Sequence, residues 1–256
     1  MKNPIANKAL GQHYLKDKNV IQNILADEPA EYDLIVEIGP GPATLTKGLS
    51  EKGKKVFLIE MDDRFIPQLE SLDNVQNIFL EDALNFNWES FCKDHPGKIW
   101  LVSNLPYNIS SQLFISFLNV SNITKMTLMY QKEVGEKTYE RAHTKNQMNS
   151  LLSLSLAYTK PALLMKVAPG AFNPPPKVDS VVVSYDVLEE PILTRDEFKD
   201  FERFIRLLFS QKRKQLGRVL KGESKIIEKL KELEFDLTRR AETLDFSEVI
   251  KIYRLS

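Results

Sequence analysis

Short apolar runs rich in β-branched residues recur along the chain up to Tyr185, and the segments between the early runs have helical character. Runs of this length, bounded by turn residues, are typical of buried strands. We predict strands at 34–38, 56–60, 75–80, 99–103, 126–131, 163–168 and 181–185, and helices at 44–51, 64–72 and 111–118. This alternation predicts an α/β fold with a mostly parallel sheet and helices on both faces. The last two strands flank a proline-rich segment without a helix, so we expect that pair to be antiparallel.

The pattern changes after Tyr185. Thr194 lies three residues before Glu197, which predicts a capping box at the start of a helix. Apolar residues then follow at helical spacing, at Phe198, Phe201, Ile205, Leu208 and Phe209, and further helices are predicted at 224–233 and 247–255. We therefore predict two domains, an α/β domain at 1–187 and a small all-α domain at 188–256.

The composition narrows the class of protein. Lys and Arg number 35 and Asp and Glu number 35, so any binding of nucleic acid must come from a local patch. The single cysteine, Cys92, excludes a disulfide scaffold, and the three histidines are not spaced as ligands, so we expect no metal site. No apolar run approaches ~18 residues and no signal peptide is recognisable, which predicts a cytoplasmic protein without a membrane span.

A glycine-rich turn follows the first strand. Gly39 and Gly41 lack a Cβ atom, so a ligand can lie against the backbone there. A dinucleotide-binding turn favours a third glycine at position 44, which Thr44 occupies. S-adenosyl-L-methionine carries no phosphate and fits this turn better than a dinucleotide. A tight strand-to-helix turn without any ligand is the alternative interpretation.

Polar residues end the strands that follow. Because parallel strands place their carboxyl ends on one edge, Gly39, Glu60, Asp82 and Asn104 are expected to lie together. The Glu60 carboxylate can accept hydrogen bonds from both ribose hydroxyls of the cofactor, and Asp82 can accept one from its adenine amine. Three neighbouring acids are alternatives that we interpret as solvated, namely Asp62, Asp63 and Glu81.

The tetrapeptide Asn104-Leu105-Pro106-Tyr107 ends the fourth strand. The Asn104 side-chain oxygen and the Leu105 carbonyl can both accept hydrogen bonds from the exocyclic amine of a base. Pro106 fixes the turn, and Tyr107 offers a flat face for stacking. An enzyme that modifies adenine at N6 needs such a clamp. The alternative is a polar turn, because Asn and Pro are common in turns for backbone reasons alone.

These motifs together resemble the ribosomal RNA adenine N6-dimethyltransferases, and within them the bacterial small-subunit enzymes associated with kasugamycin sensitivity. The resemblance covers nearly the whole chain and includes the segments 11–15, 36–46, 104–107, 170–180 and 209–214, with Glu60 and Asp82 in the family's order. His13 stands where the family usually has Asn, and Ala43 replaces a residue that is often glycine.

The resemblance implies a Rossmann-like S-adenosylmethionine-dependent methyltransferase sheet at 1–187 and a helical RNA- or ribosome-binding domain at 188–256. The implied catalytic residues are Asn104, Leu105, Pro106, Tyr107 and Phe172, with Tyr107 and Phe172 on either side of the target adenine. The implied cofactor-binding residues are His13, Leu15, Gly39, Gly41, Glu60, Asp82 and Asn104. The implied substrate is a pair of adjacent adenosines in the 3′-terminal hairpin loop of 16S rRNA, in an assembling 30S particle, and the enzyme is expected to be a monomer.

A cluster of cations suggests where RNA binds. Seven basic residues and no acid lie between Arg203 and Lys221, and the segment at 209–214 is similar to the family's basic helix. Within it we predict that Lys212, Arg213, Lys214 and Arg218 bind RNA, with a second basic segment formed by Lys2, Lys8, Lys16 and Lys18. A solvated helix face is the alternative interpretation of the run.

Two other functions remain open. The chain could dock on immature small subunits as an assembly factor without catalysis. It could instead methylate the large subunit, because the enzymes that confer antibiotic resistance share the Asn-X-Pro-Tyr clamp. They match this chain less well at the triple proline and at the basic segment.

Overall fold

The computed structural model describes residues 4–7, 11–139 and 147–256. Lys2, Lys8 and His143 therefore lie outside the described residues. The strands are β1 (Tyr14–Leu15), β2 (Leu34–Ile38), β3 (Lys55–Glu60), β4 (Val75–Leu80), β5 (Ile99–Asn104), β6 (Ile123–Gln131), β7 (Thr159–Val167), β8 (Phe172–Asn173) and β9 (Ser180–Val187). The helices are α1 (Lys18–Ala26), α2 (Thr46–Ser50), α3 (Ile66–Leu69), α4 (Trp88–Asp94), α5 (Ser110–Leu118), α6 (Lys132–Gly135), α7 (Ser150–Tyr158), α8 (Phe198–Leu208), α9 (Leu216–Val219), α10 (Ser224–Glu232) and α11 (Phe246–Tyr253).

A seven-stranded sheet with the order β4-β3-β2-β5-β6-β9-β7 forms the centre of the protein. The five strands from β4 to β6 are parallel, and β9 is antiparallel to both of its neighbours. The predicted α/β, Rossmann-like fold and the predicted antiparallel final pair are confirmed. Strands β2 and β5 lie inside the sheet under helices on both faces, which is why their sequences are apolar without alternation.

Each face of the sheet carries its own apolar cluster. On one face, Ile35 and Trp100 pack with residues of α1, α2 and α3. On the other face, Val36 and Leu101 pack with residues of α4, α5 and α7, and the cluster extends without a break to Phe201 and the other apolar residues of α8–α11. The helical tail thus shares its core with the sheet, and the division into domains at 187 and 188 stays a prediction.

Two expectations for the tail were wrong in detail. The Thr194 amide and hydroxyl donate hydrogen bonds to the Glu197 carboxylate at 2.9 and 3.0 Å, but the helix begins only at Phe198, so this pair forms a turn before the helix. The basic segment at 212–214 is a turn between α8 and α9 and not a helix. Lys212, Arg213 and Lys214 are therefore exposed in the turn between α8 and α9.

No helix in the described ranges combines the length and the apolar content that a membrane span requires.

Gly135 provides a test of the packing between α6 and β9. A Cβ atom at this position would lie 2.3 Å from Cγ2 of Val181, which is fully buried. Alanine is the better helix former by ~1 kcal/mol, whereas overpacking costs roughly 1–3 kcal/mol. We expect Gly135→Ala to lower the free energy of unfolding by up to about 2 kcal/mol in urea titrations. Gly222→Ala is the control, because its Cβ would meet nothing within 4 Å. Equal effects of the two substitutions would contradict this packing.

Candidate active site

A cavity of about 330 Å³ lies at the carboxyl edge of the parallel strands. Its wall contains the predicted site residues His13, Leu15, Gly39, Gly41, Glu60, Asp82, Asn104, Leu105, Pro106 and Tyr107. The register of the sheet explains the convergence, because Ile38 pairs with Ile59, and Glu60 pairs with Leu80, so each strand ends at the same level as its neighbour. Of the predicted catalytic and cofactor-binding residues, only Phe172 is not part of this wall.

The glycine-rich turn leaves room for a ligand. Gly39 has φ +64°, and its amide donates a hydrogen bond to the Ile59 carbonyl at 2.9 Å. A Cβ atom on Gly39 would meet nothing within 4 Å, so the backbone itself borders open space. Gly41 also has a positive φ, +51°, which glycine adopts without the penalty that a side chain imposes. The turn is therefore shaped for close approach of a molecule to the main chain.

Glu60 holds this turn together. Its Oε2 atom accepts a hydrogen bond from the Gly41 amide at 2.9 Å, and its Oε1 atom accepts from the amides of Met61 and Asp62 at 2.9 and 2.8 Å. Burial raises the pKa of Glu60, against the lowering effect of these three amides. A carboxylate has about four acceptor positions, so about one remains, on Oε2. In this conformation Glu60 can therefore accept a regular hydrogen bond from one ribose hydroxyl, and not from both as expected.

The acids near Glu60 and Asp82 differ in environment. Asp82 lines the cavity, and its Oδ1 accepts from the Leu84 amide at 3.0 Å, which leaves the second oxygen available. Asp62, which we expected to be solvated, is 6% exposed and forms an ion pair with Arg64. The hydrogen bond from Arg64 lowers the pKa of Asp62 to about 2.

Asp62 also fixes the N-terminal segment over the end of β3. Gln12 donates from Nε2 to Asp62 Oδ2 at 2.8 Å and accepts at Oε1 from the Tyr14 hydroxyl at 2.6 Å. Both Gln12 and Tyr14 line the cavity. The residues that precede β1 are therefore part of the site wall and are held there by a charge that lies 50 residues away in sequence.

Asn104 is oriented by the N-terminal segment. Its amide nitrogen donates to the His13 carbonyl at 3.1 Å, and since a carbonyl can only accept, the amide oxygen of Asn104 is the group left for another ligand. The Leu105 amide donates to the Met129 carbonyl at 3.2 Å, which ties the tetrapeptide to β6. The clamp residues are thus fixed from both sides of β5.

Tyr107 and His13 form one aromatic unit at the cavity. Their rings stack with centroids 5.5 Å apart and an interplanar angle of 25°. The Tyr107 hydroxyl is hydrogen-bonded to the Ser180 hydroxyl at 2.7 Å, and burial raises the pKa of Tyr107. Nδ1 of His13 lies 2.8 Å from the Pro174 carbonyl oxygen, so it carries the proton and donates. His13 thereby uses one ring nitrogen within the protein and not on a cofactor.

Phe172 lies in the core. It is 1% exposed, pairs with Leu15 between β8 and β1, and packs with Val167 and Val182 in the apolar cluster. Stacking against an adenine requires an accessible ring face, so the structure corrects the expectation that Phe172 and Tyr107 sandwich the base. Phe172 instead anchors the proline-rich loop, residues 169–176, to the N-terminal segment through its pairing with Leu15.

Glu37 is a residue of the cavity wall that the sequence analysis did not select. It is 2% exposed, and its Oε2 has no hydrogen-bond partner in the described part of the chain. Burial, with a smaller contribution from the charge of Glu60, raises the pKa of Glu37 to about 8. An unpartnered buried acceptor suits a ligand with a cationic N–H donor, and the α-ammonium group of S-adenosylmethionine is one. The single acid within the apolar run 34–38 was the sequence signal for it.

The predicted RNA-binding residues are all exposed. Within the described part of the chain, Lys212, Arg213, Lys214 and Arg218 have no ion-pair partner. Arg203 and Arg206 of the same run form ion pairs with Asp200 and Glu202, so the unpaired cations of the run include the turn at 212–214 and Arg218 of α9. After the larger effect of Lys137, the charge of Lys212 also lowers the pKa of Glu133, so the turn lies near α6.

Elsewhere, Lys16 and Lys18 are exposed next to the site wall. No group of three or more His, Cys, Asp or Glu side chains within the ranges described is arranged to hold a metal ion.

Glu37 gives the apoprotein a pH-dependent stability. Its pKa is raised from 4.5 to about 8, so the stability associated with its neutral form is complete below pH 4.5 and is lost as the pH rises through about 8. We expect Glu37→Gln to remove this component, so that the unfolding free energies of the variant and the wild type diverge by up to ~1.4 kcal/mol per pH unit between pH 5 and 8. Denaturant titrations at several pH values measure this. The exposed Glu70→Gln is the control, and identical pH profiles of Glu37→Gln and the wild type would contradict the expectation.

Comparison with known proteins places this site in a family. The profile described as "Ribosomal RNA adenine dimethylase" matches residues 4–254. "Ribosomal RNA small subunit methyltransferase A" of Clostridium acetobutylicum is 36% identical, over 96% of this chain and 92% of that protein. The protein of the same name from Syntrophotalea carbinolica is 34% identical, over 97% of this chain and 96% of its own.

Solved structures agree with this assignment. A dimethyladenosine transferase from Plasmodium falciparum superposes with a TM-score of 0.76 at 26% identity, over 94% of this chain and 96% of that one. The 23S rRNA methyltransferase ErmE superposes with a TM-score of 0.71 at 20% identity, over 94% of this chain and 98% of its own, which shows a shared fold. With a profile match over nearly its full length and relatives above 30% identity, the chain belongs to the ribosomal RNA adenine dimethylase family.

Proposed function

We propose that this chain transfers methyl groups from S-adenosylmethionine to N6 of two adjacent adenosines in the 3′-terminal hairpin loop of 16S rRNA. The orientation of Asn104 is the observation that carries the proposal, because its amide oxygen is left free at the cavity beside the Leu105 backbone. Two relatives named small-subunit methyltransferases support the choice of ribosomal subunit. We further propose that the enzyme acts as a cytoplasmic monomer on an assembling 30S particle.

The cofactor fits the wall that the strand ends form. The Gly39 backbone, the remaining acceptor of Glu60 and the carboxylate of Asp82 would hold its nucleoside, and the buried oxygen of Glu37 would face its ammonium group. When bound, S-adenosylmethionine supplies a methyl group activated by its sulfonium. The residues of the chain bind and orient the cofactor and the adenine, and they accept hydrogen bonds from the reacting amine.

The clamp acts on the nucleophile. The N6 lone pair of adenine is delocalised into the ring and is a poor nucleophile. Hydrogen bonds from N6–H to Asn104 Oδ1 and the Leu105 carbonyl return electron density to the nitrogen and stabilise the positive charge that develops there. The product ammonium is acidic and loses its proton to water, so no strong base is required. Alignment of N6 with the methyl group supplies the larger share of the rate.

The target base must leave its stack before it can react, because N6 of a stacked or paired adenine cannot reach the cavity. One face of Tyr107 carries the imidazole of His13, so the base stacks on the other face. Stacking contributes roughly 1–3 kcal/mol per base, comparable to the cost of unstacking. Tyr107 therefore performs the stacking role alone, without Phe172.

Asn104→Ala tests the clamp. We expect the methylation rate to fall by about 10²–10³, as for the loss of one group that stabilises developing charge, with binding of the particle retained. Mass spectrometry of 16S rRNA from unmethylated 30S particles measures the rate, and co-sedimentation measures binding. The control is Asn119→Ala, an exposed residue at the end of α5.

Dimethylation at the normal rate by Asn104→Ala would contradict the clamp. Particle binding by a wild-type chain that methylates no rRNA would favour the assembly factor without catalysis. Primer extension on both rRNAs from cells that lack the protein separates small-subunit from large-subunit methylation.

Reversing the charge of the turn tests RNA binding. We expect Lys212→Glu, Arg213→Glu and Lys214→Glu together to weaken particle binding at least ~10-fold and to reduce its salt dependence, because phosphate contacts are lost. Cofactor affinity, measured by calorimetry, should not change. The matched control reverses Lys225, Lys231 and Lys251, which are also exposed in the tail. Equal weakening by both triple variants would mean that net charge alone matters.

A further inference from the structure

Tyr107 is held by residues that come from distant parts of the chain. Its hydroxyl bonds to Ser180 across 73 residues, and its ring stacks on His13, which lies 94 positions earlier by residue number. The backbone of the tetrapeptide fixes only the start of this side chain. The direction of the ring therefore depends on contacts outside the Asn-X-Pro-Tyr motif.

Ser180 is a rigid point of attachment. It is the first residue of β9, is fully buried, and is paired through its backbone with Gln131 of β6 and with Val167 of β7. The preceding residue accepts a hydrogen bond from the Lys132 amide at 2.9 Å, which fixes the entry into the strand. The backbone of Ser180 is therefore fixed by three strands, and its buried hydroxyl offers the phenol oxygen of Tyr107 a hydrogen-bond partner at a set place.

His13 fixes the same ring from its face. Nδ1 donates to the Pro174 carbonyl at 2.8 Å, which sets the plane of the imidazole. The backbone carbonyl of His13 accepts a hydrogen bond from the Asn104 side-chain amide at 3.1 Å. His13 thus connects three components of the site, namely the clamp amide, the ring of Tyr107 and the proline-rich loop.

We propose that Ser180 and His13 are positioning residues that fix the Tyr107 ring as a preset stacking surface for the target adenine. The inference rests on the proposed function and adds residues that act through another side chain. If the Tyr107 ring could rotate freely, each binding of an adenine would cost the conformational entropy of ordering it. A ring already held at its edge and on one face is ordered in the folded protein, so binding does not carry this cost. Misplacement of a reacting group by about 1 Å can cost 10²-fold in rate, so the orientation of the surface matters to the transfer step.

Ser180 could position the Tyr107 ring, or it could merely provide a hydrogen-bond partner for a buried hydroxyl. A double-mutant cycle distinguishes these two roles. Tyr107→Phe and Ser180→Ala remove the same hydrogen bond from opposite ends, and both variants retain an aromatic ring at position 107. We expect each to lower kcat for methylation of unmethylated 30S particles by ~10-fold, and the double variant to lose ~10-fold and not ~100-fold, because neighbouring partners are not additive. The dissociation constant of the cofactor, measured by calorimetry, should stay within about twofold, since the two hydroxyls bond to each other and not to the glycine-rich turn.

Three results would overturn the role of Ser180. One is a multiplicative loss of kcat in the double variant, which would mean independent roles. Another is normal kcat in both single variants with only a lower unfolding free energy, which would mean a structural role alone. The third is a loss confined to cofactor affinity. All of these require a wild-type enzyme that methylates adenine, so failure of the proposed function itself is recognised separately, by an inactive wild type.

His13→Ala tests the second contact. Its backbone carbonyl, and hence the bond to Asn104, is retained in this variant. We expect kcat to fall by ~10-fold with less than a threefold change in the cofactor dissociation constant, because the ring positions Tyr107. A cofactor-binding role for the imidazole predicts the reverse, a weakened cofactor with kcat restored at saturation, and that result would overturn the positioning role. His13→Asn also lacks the ring and should resemble His13→Ala in kcat.

Discussion

The register of the parallel strands is the constraint on which the site depends. Hydrogen bonding across the sheet aligns the ends of β2, β3, β4 and β5, so the residues that terminate them meet at one edge. A shift of one residue in any strand would turn its inward side chains to the opposite face. The apolar clusters on both faces oppose such a shift, since Ile35 and Val36 pack into different clusters. The same packing that stabilises the fold therefore sets the geometry of the cavity.

Local sequence was enough to predict most of the sheet and much of the site. The strands were recognised because buried parallel strands are short continuous apolar runs, and β2 and β4 begin and end where expected. The strand-end residues were expected to meet at one edge because that follows from their positions at the ends of parallel strands, and they line one cavity. The helices α1, α4, α6, α7 and α9 were not predicted. Of these, α7 is buried on nearly all sides between the sheet and the tail, and its serines alternate with apolar residues, so it lacks the amphipathic spacing that indicates a helix.

The failures at the site share one physical cause. The environment of Asp62 depends on Gln12, which lies 50 residues away in sequence, and the burial of Phe172 depends on Leu15, which is also distant. Glu37 could be seen as unusual in an apolar strand, but its unpartnered oxygen is a property of the folded cavity. Burial and partner choice come from tertiary contacts, which the pattern of a single segment does not contain. Balanced total charge likewise concealed that Arg203 and Arg206 of the basic run are neutralised locally, while the turn at 212–214 is not.

The reversed direction of β9 has a consequence for the architecture as a whole. Because β9 runs against its neighbours, it begins at the edge where the parallel strands end, and the proline-rich loop enters the site from there. The opposite edge carries the connections at 27–33, 95–98, 119–122 and 188–197, and none of their residues lines the cavity within the described part of the chain. The cavity and these four connections thus lie at opposite edges of the sheet. Fusion partners or new termini introduced at exposed positions of the opposite edge would therefore lie away from the cavity.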